Sequence, residues 1–196
     1  MALAERTDNR AMAPCDEIFH IRRAREDDAR GIAEVHIKTW RDAYRDQLPA
    51  AFLAGLSVDN RELMWRDELK VLAPDRRPWV AEASGQIIGF VTCGATRSEE
   101  PRSGEGEVYA IYVLPDCWAR GVGRNLLAHA ERDLIHHGYN EAILWCLADN
   151  ARARAFYELV GWERDGATVM RSIGGQELEE VRYRIALDKS RVSALT

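Results

Sequence analysis

In EVYAIYVLPDCWARGVGRNLL, Glu107 to Leu127, a strand-like run ends at Pro115, a short turn carries Gly121 and Gly123, and a helical pattern begins at once. A strand handing over to a helix this quickly belongs in a fold where sheet and helix share a core, because the apolar face of each must be buried on the other. The turn also has a chemical meaning. Glycines let successive N–H groups point one way with no Cβ in the path of an approaching phosphate. The helix start adds the positive end of its dipole, and Arg120 and Arg124 add charge. On these residues alone an anion site and a plain glycine-rich connection both stay open. Two familiar phosphate loops do not fit in their usual forms. No Lys follows Gly123 as a Walker loop requires, and Leu126 stands where a dinucleotide fold has its third glycine.

The rest of the chain supplies the partners of this unit. Phe19 and Ile21 alternate with charged residues as a short strand. Asp27 or Asp28 can cap a helix running to Tyr44, with Ile32, Val35, His36 and Thr39 or Trp40 on one face. Pro49 breaks the pattern, and a second helix is predicted from Val58 to Leu72, ended by Pro74 and Pro78. Trp79 to Ala83 and Gln86 to Ala95 flank Ser84-Gly85 as a hairpin, Thr96 to Gly106 is a polar loop, and Glu107 to Val113 is a further strand. Gly123 to His137 is amphipathic, with Leu126, Leu127, Ala130 and Leu134 on one face and Gly138 as its stop. Ala142 to Leu147 is almost continuously apolar, the pattern of a strand buried beside a crossover helix. Asn150 can cap a helix from Ala151 to Leu159, and Trp162 to Arg171 and Leu178 to Leu187 alternate as strands around Gly174-Gly175. The expectation is an α/β chain with a mixed, mostly antiparallel central sheet of about seven strands flanked by four helices. Residues 18–188 form one domain in this reading, and 1–17 and 189–196 are loose tails.

The chain's 196 residues, 46% of them hydrophobic, suffice for one buried core and are few for two. A net charge of -5 with acidic and basic residues interspersed leaves no polybasic surface, so neither nucleic acid nor an anionic membrane is an expected partner. No signal peptide or spanning segment is apparent, and a cytoplasmic location is expected. Cys15, Cys93, Cys117 and Cys146 are scattered, which suits reduced thiols, and the histidines show no zinc-type spacing, so no metal site is expected.

Trp118-Ala119-Arg120-Gly121-Val122-Gly123 resembles the Gln/Arg-x-x-Gly-x-Gly/Ala motif of the GNAT superfamily of N-acetyltransferases. Downstream, Asn150, Ala153, Phe156, Tyr157, Gly161 and Trp162 match that family's Asn-x-x-Ala-x-x-Phe-Tyr-x-x-x-Gly-Phe stretch, with Trp for the last Phe. Two motifs in order are more specific than one, and the likeness covers about Phe19 to Leu187. Trp118 departs from the Gln or Arg of the pattern, which puts one side-chain contact in question and leaves the backbone site intact.

The resemblance implies acetyl-CoA as acyl donor, splayed central strands, and direct transfer to an amine in a ternary complex. The pyrophosphate would rest on amides from Trp118 through Ala119, Arg120, Gly121, Val122 and Gly123 to Arg124. The Ile111 N–H would stabilise the oxyanion and Val113 would pair with the pantetheine arm. Asn150 would cap its helix and touch the same arm. Glu107 is the implied general base, against an edge-strand Glu facing solvent, and Tyr157 the implied general acid, against a Tyr that merely packs. Trp40, Tyr44, Trp65, Tyr109 and Tyr112 are candidate acceptor-pocket residues that packing would equally explain. Asp149 and Glu107 could attract a cationic amine. The acceptor is expected to be a small-molecule amine. A protein N-terminal or lysine amine and a non-catalytic acyl-CoA sensor are the alternatives, while aminoacyl-tRNA is disfavoured by the acidic balance. The terminal hairpin offers an edge for a homodimer.

Overall fold

The computed structural model describes residues 18–73 and 76–188, so both expected tails lie outside the described residues. The strands are β1 (His20–Arg23), β2 (Trp79–Ala83), β3 (Gln86–Ala95), β4 (Glu105–Val113), β5 (Glu141–Leu147), β6 (Glu163–Ile173) and β7 (Gln176–Ala186). The helices are α1 (Ala29–Ala43), α2 (Ala50–Gly55), α3 (Val58–Val71), α4 (Val122–His136) and α5 (Ala151–Leu159). One helix more is present than the pattern predicts. Pro49 ends the first helical pattern, but it also sits at the N-cap of α2, where its fixed φ and missing donor cost nothing. Polar caps hold the neighbouring helices: Ser57 accepts the Asn60 N–H, and Asn150 accepts the Ala153 N–H at 3.1 Å. Left-handed Ser84 and Gly85 make the β2–β3 turn, and Gly174 and Gly175 the β6–β7 turn.

The seven strands form one sheet in the order β1-β2-β3-β4-β5-β7-β6. All neighbours are antiparallel except β4 and β5, which α4 connects as a crossover. That parallel pair is short. Only Glu105, Gly106 and Glu107 pair with Glu141, Ala142 and Ile143, after which the two strands diverge. β4 also carries a bulge: Thr92 pairs with Ala110 and Cys93 with Val108, leaving Tyr109 unpaired.

Helices cover both faces. A methyl on Gly106 would meet Leu134 of α4, which places α4 on one face, whereas Phe90 packs on His36 of α1 and Trp65 of α3 on the other. Leu126, Leu127, Ala130 and Leu134 are all buried, as their spacing predicts. No helix among the described residues is long and apolar enough to cross a membrane.

Candidate active site

The divergence of β4 from β5 opens a cleft of about 690 Å³. Its β4 wall presents backbone. The Leu114 N–H bonds to the Ile88 carbonyl at 2.9 Å, so by antiparallel alternation the pairs Gly89–Val113 and Val91–Ile111 are the non-hydrogen-bonded ones. The N–H and C=O of Ile111 and Val113 therefore point away from β3, into the gap. The Val113 carbonyl is already engaged: the Trp118 indole N–H donates to it at 2.8 Å and the Thr39 hydroxyl at 3.1 Å. Its N–H is the group turned toward an incoming strand-like ligand.

At the mouth, the start of α4 forms a cradle. Ala119 (φ 60°) and Gly121 (φ 82°) are left-handed, and alternation of this kind turns successive N–H groups toward one point. Beyond Gly121 the space is open, with Asn125 Nδ2 at 3.8 Å from where a methyl would stand. A methyl on Gly123 would touch the Phe156 ring at 3.4 Å, so a side chain there fills the passage to α5. Ala119, Gly121, Gly123 and Arg124 line the cleft; Arg120 and the buried Val122 side chain do not. An amide cradle at a helix start beside a cation fits a pyrophosphate.

Trp118 takes part differently from the Gln or Arg of the motif. Its ring is covered by the Arg152 guanidinium at 3.2 Å, and the stack joins the end of β4 to the start of α5 across the cleft. Burial lowers the Arg152 pKa, so this cation gains from an anionic ligand nearby. Sequence reasoning missed Arg152; its place two residues after the helix-capping Asn150 was the available signal.

Tyr157, from α5, lines the same cleft at 8% exposure. Burial, and the neighbouring Cys146, push its phenol well above 10. Asn150 lines the cleft while capping α5. Trp40, Tyr44, Tyr109 and Tyr112 line the same cleft, as do Trp145 and Leu147 of β5. Trp65 does not, being buried against Phe90 at 5.2 Å. Asp149 is likewise outside the lining.

Glu107 is outside it too. Its buried carboxylate accepts the Arg97 N–H at 2.7 Å through Oε2 and the Arg97 guanidinium at 2.7 and 3.2 Å through Oε1. These bonds tether the segment after β3, and they engage both oxygens that a base would use. The carboxylate that does line the cleft is Glu180 of β7, which faces Leu147 across the β5–β7 ladder. Alternation puts Glu180 on the opposite face from Glu179, and only the register with β5 shows that this face borders the cleft. The charged lining is thus Arg124, Arg152 and Glu180. No group of three or more potential metal ligands occurs among the described residues.

The comparisons agree with this geometry. A family model for the acetyltransferase (GNAT) family matches residues 37–162. The uncharacterized N-acetyltransferase YuaI of Bacillus subtilis is 32% identical over 164 residues, 82% of this chain and 89% of that protein. A mycothiol acetyltransferase of Amycolatopsis mediterranei is 33% identical over 130 residues, 57% of this chain and 42% of that one. The crystal structure of the PaiA N-acetyltransferase from Thermoplasma acidophilum, solved with coenzyme A, shares the fold at a TM-score of 0.66 and 17% identity, covering 86% of this chain and 99% of that one. With residues 37–162, more than half of the chain, matched by the family model, the cradle at the start of α4 and the splayed β4–β5 pair in place, the chain belongs to the acetyltransferase (GNAT) family and is an acetyl-CoA-dependent N-acetyltransferase.

Proposed function

We propose that the acceptor is the primary amine of a small molecule, acetylated by direct attack within a ternary complex. One observation carries the choice of a small acceptor. The Phe52 ring of α2 lies so tightly on Gly174 of the β6–β7 turn that a methyl there would come within 2.7 Å of it. Leu48 and Ile173, on either side of this contact, line the cleft, so α2 and the hairpin meet over its acceptor end and restrict it to compact ligands. The name of the mycothiol acetyltransferase relative points the same way.

Acetyl-CoA supplies the acetyl group as a thioester. The amides around Ala119, Gly121 and Gly123, with Arg124, would hold its pyrophosphate, and the Val113 N–H its pantetheine arm. The Ile111 N–H, aimed into the gap, is the donor for the oxyanion that forms on attack. An alkyl ammonium first gives a proton to water, at a cost of roughly 4 kcal/mol at pH 7, and the freed lone pair then forms the C–N bond as the C–S bond breaks. Tyr157 Oη holds its proton across the physiological range and is the donor to the departing sulfur.

The test is release of the CoA thiol from acetyl-CoA with a panel of compact amines, peptides with free N-termini, and lysine peptides. Turnover with compact amines and none with peptides is expected. Turnover confined to peptides would refute the acceptor class. Tight acetyl-CoA binding with no turnover on any amine would make the chain a sensor.

A further inference from the structure

We propose that Glu180 receives the ammonium of the acceptor, and that the acceptor is a singly charged amine on an apolar or aromatic body. The inference rests on the small-amine reading above and gives it a chemical class. Glu180 supplies the acidic side chain of the cleft lining. Its partner across the ladder, Leu147, and the next residue on that face, Trp145, also line the cleft, so the carboxylate stands on the acceptor face of the sheet. Tyr112 of β4 is near enough to feel its charge, and Trp40 of α1 and Tyr44 at the end of that helix share the lining, walls that offer ring surface and little charge. Of the two lining arginines, Arg124 belongs to α4 beside the cradle, while Arg152 covers the Trp118 ring and also lies near Tyr44, Tyr157 and Cys146. The lining thus carries two cations, one of them in the cradle helix, and a single carboxylate, Glu180 on β7.

The groups around Glu180 leave it available. Arg171 of β6 approaches it at 3.4 Å, at the outer limit of a hydrogen bond. Arg97 is occupied by Glu107, whose own charge opposes that of Glu180, and the Tyr112 phenol and Cys146 thiol face it from β4 and β5. Burial raises the Glu180 carboxyl above its ordinary range, so a cation placed beside it restores what desolvation removes. One carboxylate matches one ammonium. A second charge on a polyamine would face the aromatic walls, and a carboxylate beside the amine would face Glu180.

The experiment compares phenethylamine, spermidine and alanine as acceptors for the wild-type chain and for Glu180→Gln, with acetyl-CoA affinity measured by calorimetry in both. Phenethylamine should be the preferred acceptor. Glu180→Gln should raise its KM about 10- to 100-fold, the usual worth of a hydrogen bond to a charged group, with acetyl-CoA affinity unchanged. An unchanged KM in Glu180→Gln would overturn the role of Glu180, and preference for spermidine or alanine would overturn the substrate class. Failure of the wild-type chain to bind acetyl-CoA would sink the transferase reading itself. If Glu180→Gln does not fold, Arg171→Ala serves in its place: stripping the carboxylate of its ion-pair partner should lower the phenethylamine KM, and a rise or no change counts against the proposal.

Discussion

His36 should make the stability of this protein sensitive to acid. Its ring is 8% exposed, lies 4.8 Å from the Tyr112 ring at 28°, and is 5.6 Å from Trp40 and 5.9 Å from Phe90. Neither ring nitrogen has a hydrogen-bond partner among the described residues. Desolvation, with a smaller contribution from the charge of Arg61, lowers its pKa from 6.5 to about 3. The folded protein therefore keeps His36 neutral while the unfolded chain protonates it below pH 6.5. The resulting stability is fully present above that pH and is lost as pH falls toward 3. At pH 5 the unfolded chain has gained about 2 kcal/mol by protonation and the folded state almost nothing. Any folded value below about 4 gives nearly the same loss, which is a large share of a typical domain's stability. His36→Phe keeps a ring against Tyr112 and removes the titration. Urea unfolding at pH 7, 6 and 5 should show the wild type losing about 2 kcal/mol more than the variant. The difference in slope isolates His36 from the other histidines, whatever Phe does to absolute stability. Parallel slopes would refute the reasoning, because they would mean that water reaches the ring in the folded state.

Gly121→Glu should abolish acetyl-CoA binding in calorimetry, since it puts a carboxylate at a left-handed position on the open side of the cradle; unchanged affinity would remove the cradle assignment. Tyr157→Phe should bind acetyl-CoA normally and turn over about 10²- to 10⁴-fold more slowly, and because the phenol is held well above 10, the wild type should show no alkaline decline from this group up to about pH 9. Full activity of the Phe variant across that range would leave the residue a packing element. Glu107→Gln should cost stability through its bonds with Arg97 and leave turnover nearly unchanged at every pH; a loss of turnover confined below about pH 8 in a well-folded variant would instead make Glu107 the base. Arg97→Ala should lower thermal stability by about 1–3 kcal/mol, because the buried Glu107 carboxylate would keep only the amide bond, and a neutral result would show water replacing the guanidinium.

Local rules were enough for much of this protein. The α4 stripe, the Asn150 cap, and the paired left-handed turns at Ser84-Gly85 and Gly174-Gly175 follow from periods and backbone preferences that act within a few residues. The cradle at Gly121 and Gly123 was legible for the same reason, since strand, turn and helix start are contiguous in the chain. So was the family, through two motifs whose spacing reflects one connected surface. Residue types alone put Glu107 and Asp149 forward as partners for the amine, yet neither lines the cleft, and Glu180 does. That exchange depends on a bulge at Tyr109, on Arg97 folding back to hold Glu107, and on a β5–β7 register that sets Glu180 opposite Leu147. Each of these joins residues far apart in sequence, and moving a strand by a single residue would turn every side chain to the opposite face. Composition and pattern therefore determined most of the elements and that a glycine-bearing turn opens α4. Only the tertiary structure decided which charges line the cleft, because a cleft between splayed strands is assembled from separate segments, and its lining exists only where their registers bring them together.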